Sequence, residues 1–356
     1  MKSPAGVRID RELKERGWTQ GILAEILDRP RTAVSQIISG KKQITAETAI
    51  QLAAVFDGKP IDWMVMDCEQ QLRVASHLDV SEILKRAEVY NRVPVKELQK
   101  RSWIPSGITI EETEQHVEAF VASNLSIFTK RTSENKLNSS QLSWCYRAAQ
   151  IARDIPVPKF SQSNFEGGIC ELRNLTTWPE EARKAPAILT EMGVKFVVVE
   201  PLPKTRIDGA TFWLDGSPVV CLSLRFNRID SFWHTLGHEL SHVRHRDSLS
   251  IDTNIFGEDR DDIENEIETR ADREGAEMWI DPKEIDDFIL RVSPFFEQKK
   301  INGFASRIKV HPGIIVGQLQ HRGAITYATY RKSLAKVRDI VTSSAVTDGW
   351  GHTISN

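Results

Sequence analysis

Two histidines four residues apart, His238 and His242, flank Glu239 in the stretch "HTLGHELSHVRHRD" (234–247). On a helix, positions four apart share a face with Cβ atoms about 5–6 Å apart, so two imidazoles can grip one ion. Glu239 is displaced around the helix but stays beside the first of them, where a carboxylate can polarise a metal-bound water. HExxH is thus the spacing of two zinc ligands and a general base. Chance would produce it about once in a hundred chains of this length. The apolar, aromatic lead-in "SFWHTLG" points to a buried helix. Burying two histidines and a glutamate without a metal or partners is costly.

Catalytic zinc takes a third protein ligand and keeps a fourth position open. Downstream, "ENEIETRADREGAEMW" sets Glu268 and Asp272 four apart on one helical face. Glu268 can be the third ligand, and Asp272 can accept the N–H of a ligating histidine and fix its tautomer. Glu264, one turn earlier, is the rival; Glu268 is preferred because only it has an aspartate four residues on. Such an acidic helix is otherwise a solvated surface. His234, one turn before His238, can line the cleft or simply pack, while His245 falls off the ligand face. His311 precedes Pro312 at a helix start, a position for a cap or a cleft residue. His311, Tyr327 and Tyr330 are candidates to stabilise an oxyanion, and no spacing singles one out.

These residues need elements to hold them. The chain has 356 residues, 40% hydrophobic and 27% charged, enough for two or three packed domains. Residues 1–67 read as compact helices, and 68–140 as a helical spacer ending in the polar "KRTSENKLNSSQ" (130–141). Beyond 141 the strand-like "VKFVVVEP", "GATFWLD" and "SPVVCLSLR" appear among helices. "FASRIKVHPGIIVGQLQ" (304–320) has a helix-turn-helix look but few basic residues, so a structural subdomain is expected over 301–341, then a flexible tail over 342–356. Cys68, Cys145, Cys170 and Cys221 form no CxxC pair, which argues against a disulfide framework and a thiolate zinc site. No apolar run is long enough to span a bilayer, and the N-terminal stretch lacks a signal-peptide core, so no membrane partner and a cytoplasmic location are expected.

Net charge is −2, so any basic surface must be local. It is found in "WTQGILAEILDRPRTAVSQIISGKKQITAETAIQLAAVF". Thr19 would cap a helix to Leu27, "DRP" turns the chain, and Arg31–Ile38 form the next helix, ended by Gly40. Two short helices at a tight turn are what a helix-turn-helix needs. Arg29, Arg31, Lys41 and Lys42 lie in a window with no acidic residue. Thr32, Ser35 and Gln36 occupy the exposed face of the second helix, and Gln20 is placed for a phosphate contact.

The stretch "GWTQGILAEIL…VSQIISGKKQITAETAIQLAAVF…IDWM" resembles the XRE-type helix-turn-helix, specifically its HigA-like antitoxin branch, over nearly all of residues 8 to 67. Gly21, just after a helix start, departs from a good helix former. HExxH followed about 25 residues later by ExxxD looks like the gluzincin arrangement. More narrowly, residues 141 to about 325 resemble the ImmA/IrrE family of metallopeptidases, on "LPKTRIDGATFWLDGSPVVCLSLRFNRIDSFWHTLGHELSH" and "HPGIIVGQLQHRG". The sequence has "REGAEMW" where that family usually shows a phenylalanine and alanine.

These resemblances imply a mainly α protein with an α+β C-terminal domain. A five-helix bundle at 1–67 would bind DNA. A helical linker region would follow at 68–140, then a zincin-like metallopeptidase domain with a small sheet at 141–300. One Zn2+ per chain is implied, held by His238, His242 and Glu268, with Glu239 as base and Asp272 behind a ligand. The expected partners are a double-stranded DNA operator, a protein substrate or toxin, and a second copy in a homodimer. The leading expectation is a transcriptional regulator, antitoxin- or repressor-like, with a zinc endopeptidase that cuts a regulatory protein. The alternative is a non-catalytic repressor or antitoxin whose metallo-domain senses a ligand or binds a toxin. A third is a housekeeping peptidase with an inert helical N-domain.

Overall fold

The computed structural model describes residues 2–122, 137–247, 249–252 and 262–349, with backbone alone for 249–252 and 262–265. The chain forms two compact units, residues 1–83 and 84–356.

The first unit is a five-helix bundle: α1 (Pro4–Arg16), α2 (Gln20–Ile26), α3 (Arg31–Ile38), α4 (Ala46–Phe56) and α5 (Pro60–Ala75). Local chemistry sets the boundaries. Ser3, Thr19 and Thr45 cap α1, α2 and α4, each accepting a backbone N–H of the first turn. Pro30 precedes α3, and Gly40, at φ 71°, turns the chain after it. Ile9, Leu13, Leu23, Val34, Ile37, Leu52, Phe56 and Trp63 share one core. A Cβ on Gly6 would lie 1.9 Å from the Ile38 carbonyl oxygen, so α1 crosses directly over the end of α3. α5 runs through the boundary expected at residue 67. Asp67 is part of the bundle, accepting from Ile44 N at 3.2 Å and Gln71 Nε2 at 2.6 Å.

After α6 (Ser81–Arg92) come α7 (Val95–Lys100), α8 (Ile110–Ala122), α9 (Ser139–Arg153), α10 (Gln162–Asn174) and α11 (Ala185–Glu191). Then follow β1 (Lys195–Val198), β2 (Gly209–Leu214), β3 (Ser217–Leu222), α12 (Ile229–His245), β4 (Leu249–Asp252) and α13 (Asp262–Glu277). The chain closes with α14 (Pro282–Val292), α15 (Gln298–Ile308), α16 (Pro312–His321), α17 (Arg338–Thr342) and β5 (Val346–Thr347). The mixed sheet has the order β4-β2-β3-β1-β5. β2 and β3 are an antiparallel hairpin turned at Asp215 and Gly216, both at positive φ as a type I′ turn requires. β1 runs parallel to β3 and β5, and β4 antiparallel to β2.

The sheet buries both faces. Val197, Ala210, Phe212, Val219 and Cys221 pack with Val89, Leu98, Phe120, Trp144 and Ala148. Phe196, Val198, Val220 and Leu222 pack with α12 and the helices that follow it. Three expectations need correcting. Of the segment expected as a spacer (68–140), residues 89–121 supply part of one layer over the sheet, where Val93, Leu98, Val117 and Phe120 are buried. The 301–341 segment is not set apart either: Ile301, Phe304, Ile314, Val316 and Leu319 share the core with α12. Of the expected tail, residues 346–347 pair with β1, and Asp348 is buried 3.6 Å from Arg101 Nη1. The early part of the polar stretch, 130–136, and the tail from 350 lie outside the described residues.

Candidate metal centre and nucleic-acid interface

α12 carries HExxH through the middle of the second unit. Phe232, Trp233, Leu236, Leu240 and Val243 are core residues, and His238, Glu239 and His242 are fully buried. α13 crosses α12 at two glycines. A Cβ on Gly237 would lie 2.6 Å from the Gly275 carbonyl oxygen, and one on Gly275 would lie 2.6 Å from His238 N. The two backbones touch because neither residue has a side chain. Trp279 Nε1 donates to the Trp233 carbonyl at 2.6 Å just beyond. This crossing delivers Glu268 and Asp272 to His238.

One ligand atom from each of His238, His242 and Glu268 lies within 4.8 Å of the others. His238 Nε2 is 3.1 Å from Glu268 Oε2 and 3.1 Å from His242 Nε2, which is 3.8 Å from Glu268 Oε1. Behind the rings, His238 Nδ1 is 2.8 Å from Asp272 Oδ1, and His242 Nδ1 is 2.8 Å from Asp247 Oδ2. A carboxylate on Nδ1 fixes the proton there and leaves Nε2 with a lone pair. Two such lone pairs and a carboxylate converge on one point in a buried site. They repel unless a cation lies between them. His, His, Glu is a donor set that zinc accepts, with room for a fourth ligand.

In the metal-free chain, protons on the rings stand in for that cation. Burial opposes every charge here, yet hydrogen bonds and charge from His238 and His242 hold Glu268 well below the usual carboxylate range. Asp272 is lowered in the same way by His238. Burial also opposes charge on His242, but Asp247 and Glu268 outweigh it and raise its pKa. Glu239 is seated by the sheet: Thr211 Oγ1 donates to its Oε2 at 2.7 Å. A Cβ on Gly209 would stand 2.3 Å from its Oε1. Alternate residues of β2 thus hold the carboxylate and make room for it.

Asp247 is a site residue that sequence reasoning missed, although it ends the quoted stretch. The missing signal was the helix end. Arg246 is left-handed (φ 56°), and this folds residue 247 back, its N–H donating to the His242 carbonyl at 3.0 Å. Arg270, two residues beyond Glu268, also bonds Asp247. Thr211 and Gly209 carried no motif at all. The side chain of Glu264, the rival ligand, lies outside the described residues.

His234 lines a cavity of about 250 Å³ with Thr235, Trp279, Ile314, His321 and Tyr327. Its ring is 5.6 Å from that of His321, and burial lowers its pKa to about 4. His311 is not among the lining residues: its Nδ1 caps α16, accepting from Gly313 N at 3.0 Å. Tyr330 OH donates to the Phe296 carbonyl at 2.5 Å, which leaves Tyr327 as the tyrosine at the cavity. His245 is exposed, with Nε2 2.9 Å from Glu274 Oε1.

On the first unit, Arg31, Thr32, Ser35 and Gln36 are exposed on α3, and Lys41 and Lys42 just after it. Gln20 is half-buried at the first turn of α2. Arg29 differs from expectation. It is half-buried and its Nη2 lies 3.2 Å from Glu47 Oε1, so part of its charge is spent within the bundle. Residues 8–64 match the helix-turn-helix family HTH_3, an XRE-type DNA-binding domain. No curated protein matches the chain. Among the described residues, no helix is long and apolar enough to cross a membrane.

Proposed function

We propose that the chain is a DNA-binding transcriptional regulator carrying a zinc-dependent endopeptidase site that hydrolyses a peptide bond in a regulatory protein. The helix-turn-helix supports the first half, through α3 as the base-reading helix and Lys41 and Lys42 on phosphate. The observation that carries the second half is the buried convergence of His238, His242 and Glu268 beside Glu239.

Zinc held by those three residues would act as a Lewis acid and lower the pKa of water at its open position. The chain does the rest. Asp272 and Asp247 keep both imidazoles in the tautomer that presents Nε2. Glu239 takes the proton of the attacking water and returns it to the amine nitrogen as the C–N bond breaks. Thr211, donating to Oε2, holds that carboxylate in one orientation. The mostly apolar cavity beside His234 would accept a substrate side chain, with Tyr327 at its wall to steady the oxyanion.

A second reading is a metallo-domain that senses or binds a partner without turnover. It is favoured by the complete burial of Glu239. Glu239→Gln separates the two. Purified chain is assayed for zinc by elemental analysis and for cleavage of a peptide library by mass spectrometry. The enzymatic reading expects about one zinc per chain in both forms and cleavage only with Glu239. Zinc-loaded wild-type chain that cuts no peptide would favour the second reading, and chain that takes up no zinc would sink both.

A further inference from the structure

We propose that Arg246 is a positioning residue for the metal centre: its guanidinium, seated over two aromatic rings, holds the chain left-handed at 246 and so keeps Asp247 behind His242. This rests on reading His238, His242 and Glu268 as zinc ligands. Arg246 ends α12 at φ 56°. Glycine takes that conformation freely, as Gly17 does at the end of α1, whereas a Cβ there crowds the following carbonyl. An arginine therefore bears a steric cost that its side chain must offset. Phe160, just ahead of α10, and Trp213, in β2, meet edge to face with centroids 5.4 Å apart and planes at 89°. The Arg246 Cζ lies 5.7 Å from the Phe160 centroid and 5.5 Å from that of Trp213. Both distances are inside the roughly 6 Å reach of a cation on a ring face. Among the described residues, no carboxylate pairs with this guanidinium.

Trp213 extends a row already in use. Gly209, Thr211 and Trp213 alternate along β2 and so share one face of the sheet. The first makes room for the Glu239 carboxylate, the second donates to it, and the third carries Arg246. One strand face thus positions the base directly and a ligand through Arg246 and Asp247. The other holder of Asp247 does not replace this latch. Arg270 bonds the same oxygen, Oδ2, that His242 Nδ1 meets at 2.8 Å. If residue 246 leaves the left-handed region, the Asp247 N–H leaves the His242 carbonyl. The carboxylate is then free to follow Arg270 on α13, away from the ring.

The test compares Arg246→Gly, Arg246→Gln and Arg246→Lys in the full chain, with zinc affinity read by competition with a chromophoric chelator. Circular dichroism checks folding, and Arg246→Gly should keep the helix end, because glycine is the usual residue there. A plain helix stop predicts unchanged affinity in Arg246→Gly. The latch predicts a loss of about 10-fold in Arg246→Gly and in Arg246→Gln. Arg246→Lys keeps a cation over the rings and should recover to within ~3-fold of wild type. In an Asp247→Asn background, Arg246→Gly should cost less than ~2-fold more, since one contact cannot be lost twice. Full affinity in Arg246→Gly, no recovery in Arg246→Lys, or an undiminished further loss beside Asp247→Asn would overturn the inference. A second readout needs no metal. With isotopically labelled histidines in the metal-free chain, the His242 Nδ1–H bonded to Asp247 should give a slowly exchanging magnetic-resonance signal, assigned by its loss in His242→Gln. It should be present in wild type and Arg246→Lys and absent in Arg246→Gly. A chain that takes up no zinc would sink the zinc reading alone, and the latch would still stand or fall with that signal.

Discussion

The two functional regions use opposite economies. In the first unit, the polar residues of α3 proposed to meet DNA, Arg31, Thr32, Ser35 and Gln36, are exposed and the core beneath them is wholly conventional: Leu23, Val34, Ile37 and Leu52. In the second, the chemistry-bearing residues are the core, with His238, Glu239 and His242 fully buried on a helix that the rest of the unit wraps. A surface reader needs only correct local caps and a stable bundle. A buried polar cluster needs every partner in place, because an unpaired group there costs its full desolvation. Mutations should therefore be graded differently in the two regions.

The largest effect is expected where the second region has least freedom. Gly275→Val puts side-chain atoms where His238 N already lies 2.6 Å from a Cβ. α12 and α13 must then part, and Glu268 and Asp272 leave with α13. We expect a loss of about 3 kcal/mol or more and no zinc uptake, read by thermal melting and metal analysis. A variant that melts normally and binds zinc would show that the crossing is not what assembles the cluster.

Acid should distinguish the regions next. His234 ionises near pH 6.5 when unfolded but at about 4 in the folded chain, because burial resists the charge. Between those values the unfolded state binds the proton and the folded state does not. Stability is thus complete above pH 6.5 and falls as pH drops toward 4, by up to about 3 kcal/mol. His242 has the opposite sign in the metal-free chain: its raised pKa adds stability below pH 6.5 that is lost as pH rises. Melting the metal-free chain from pH 7 to 4.5 should show the slope, and His234→Gln, which cannot ionise, should flatten it. An unchanged slope would place the acid sensitivity elsewhere.

Smaller again is the effect of removing one carboxylate behind a ligand. Asp247→Asn still fills the space beside His242 Nδ1 but surrenders the charge, and zinc affinity should fall about 10–100-fold by competition with a chelator. Asp272→Asn should do the same through His238. If only Asp272→Asn weakens binding, Asp247 serves the ion pair with Arg270 and not the metal.

The same contrast explains what could be read from sequence. The bundle was legible because its signals are local: Thr19 and Gly40 mark boundaries within a few residues of what they control. HExxH was legible because i and i+4 is itself a local spacing, and ExxxD because it repeats that spacing in the next helix. Asp247 was hidden by a single left-handed residue, Arg246, which no motif announces. Thr211 and Gly209 were hidden because a strand pairs with a helix far along the chain. The layer formed by Leu98, Val117 and Phe120 was mistaken for a spacer because its partner face is more than seventy residues downstream. Charge counting placed Arg29 on DNA, and only the fold brought Glu47 beside it.

The smallest effect probes the exposed region, where one residue breaks the local rule. Gly21 sits at the second position of α2, and an added Cβ would meet only Thr19 Oγ1, at an ordinary 3.5 Å. Glycine in a helix costs about 1 kcal/mol relative to alanine, so Gly21→Ala should stabilise the bundle by roughly 0.5–1 kcal/mol. Zinc content and the behaviour of the second unit should not change. Binding to double-stranded DNA, measured as a function of salt, decides why the glycine is there. Unchanged binding in a more stable protein makes it a passenger. Weaker binding with the same salt slope would mean that the backbone at Gly21 comes close to a phosphate, with no counterion lost or gained, and that a methyl group keeps them apart. A less stable protein would contradict the open space around Gly21 itself.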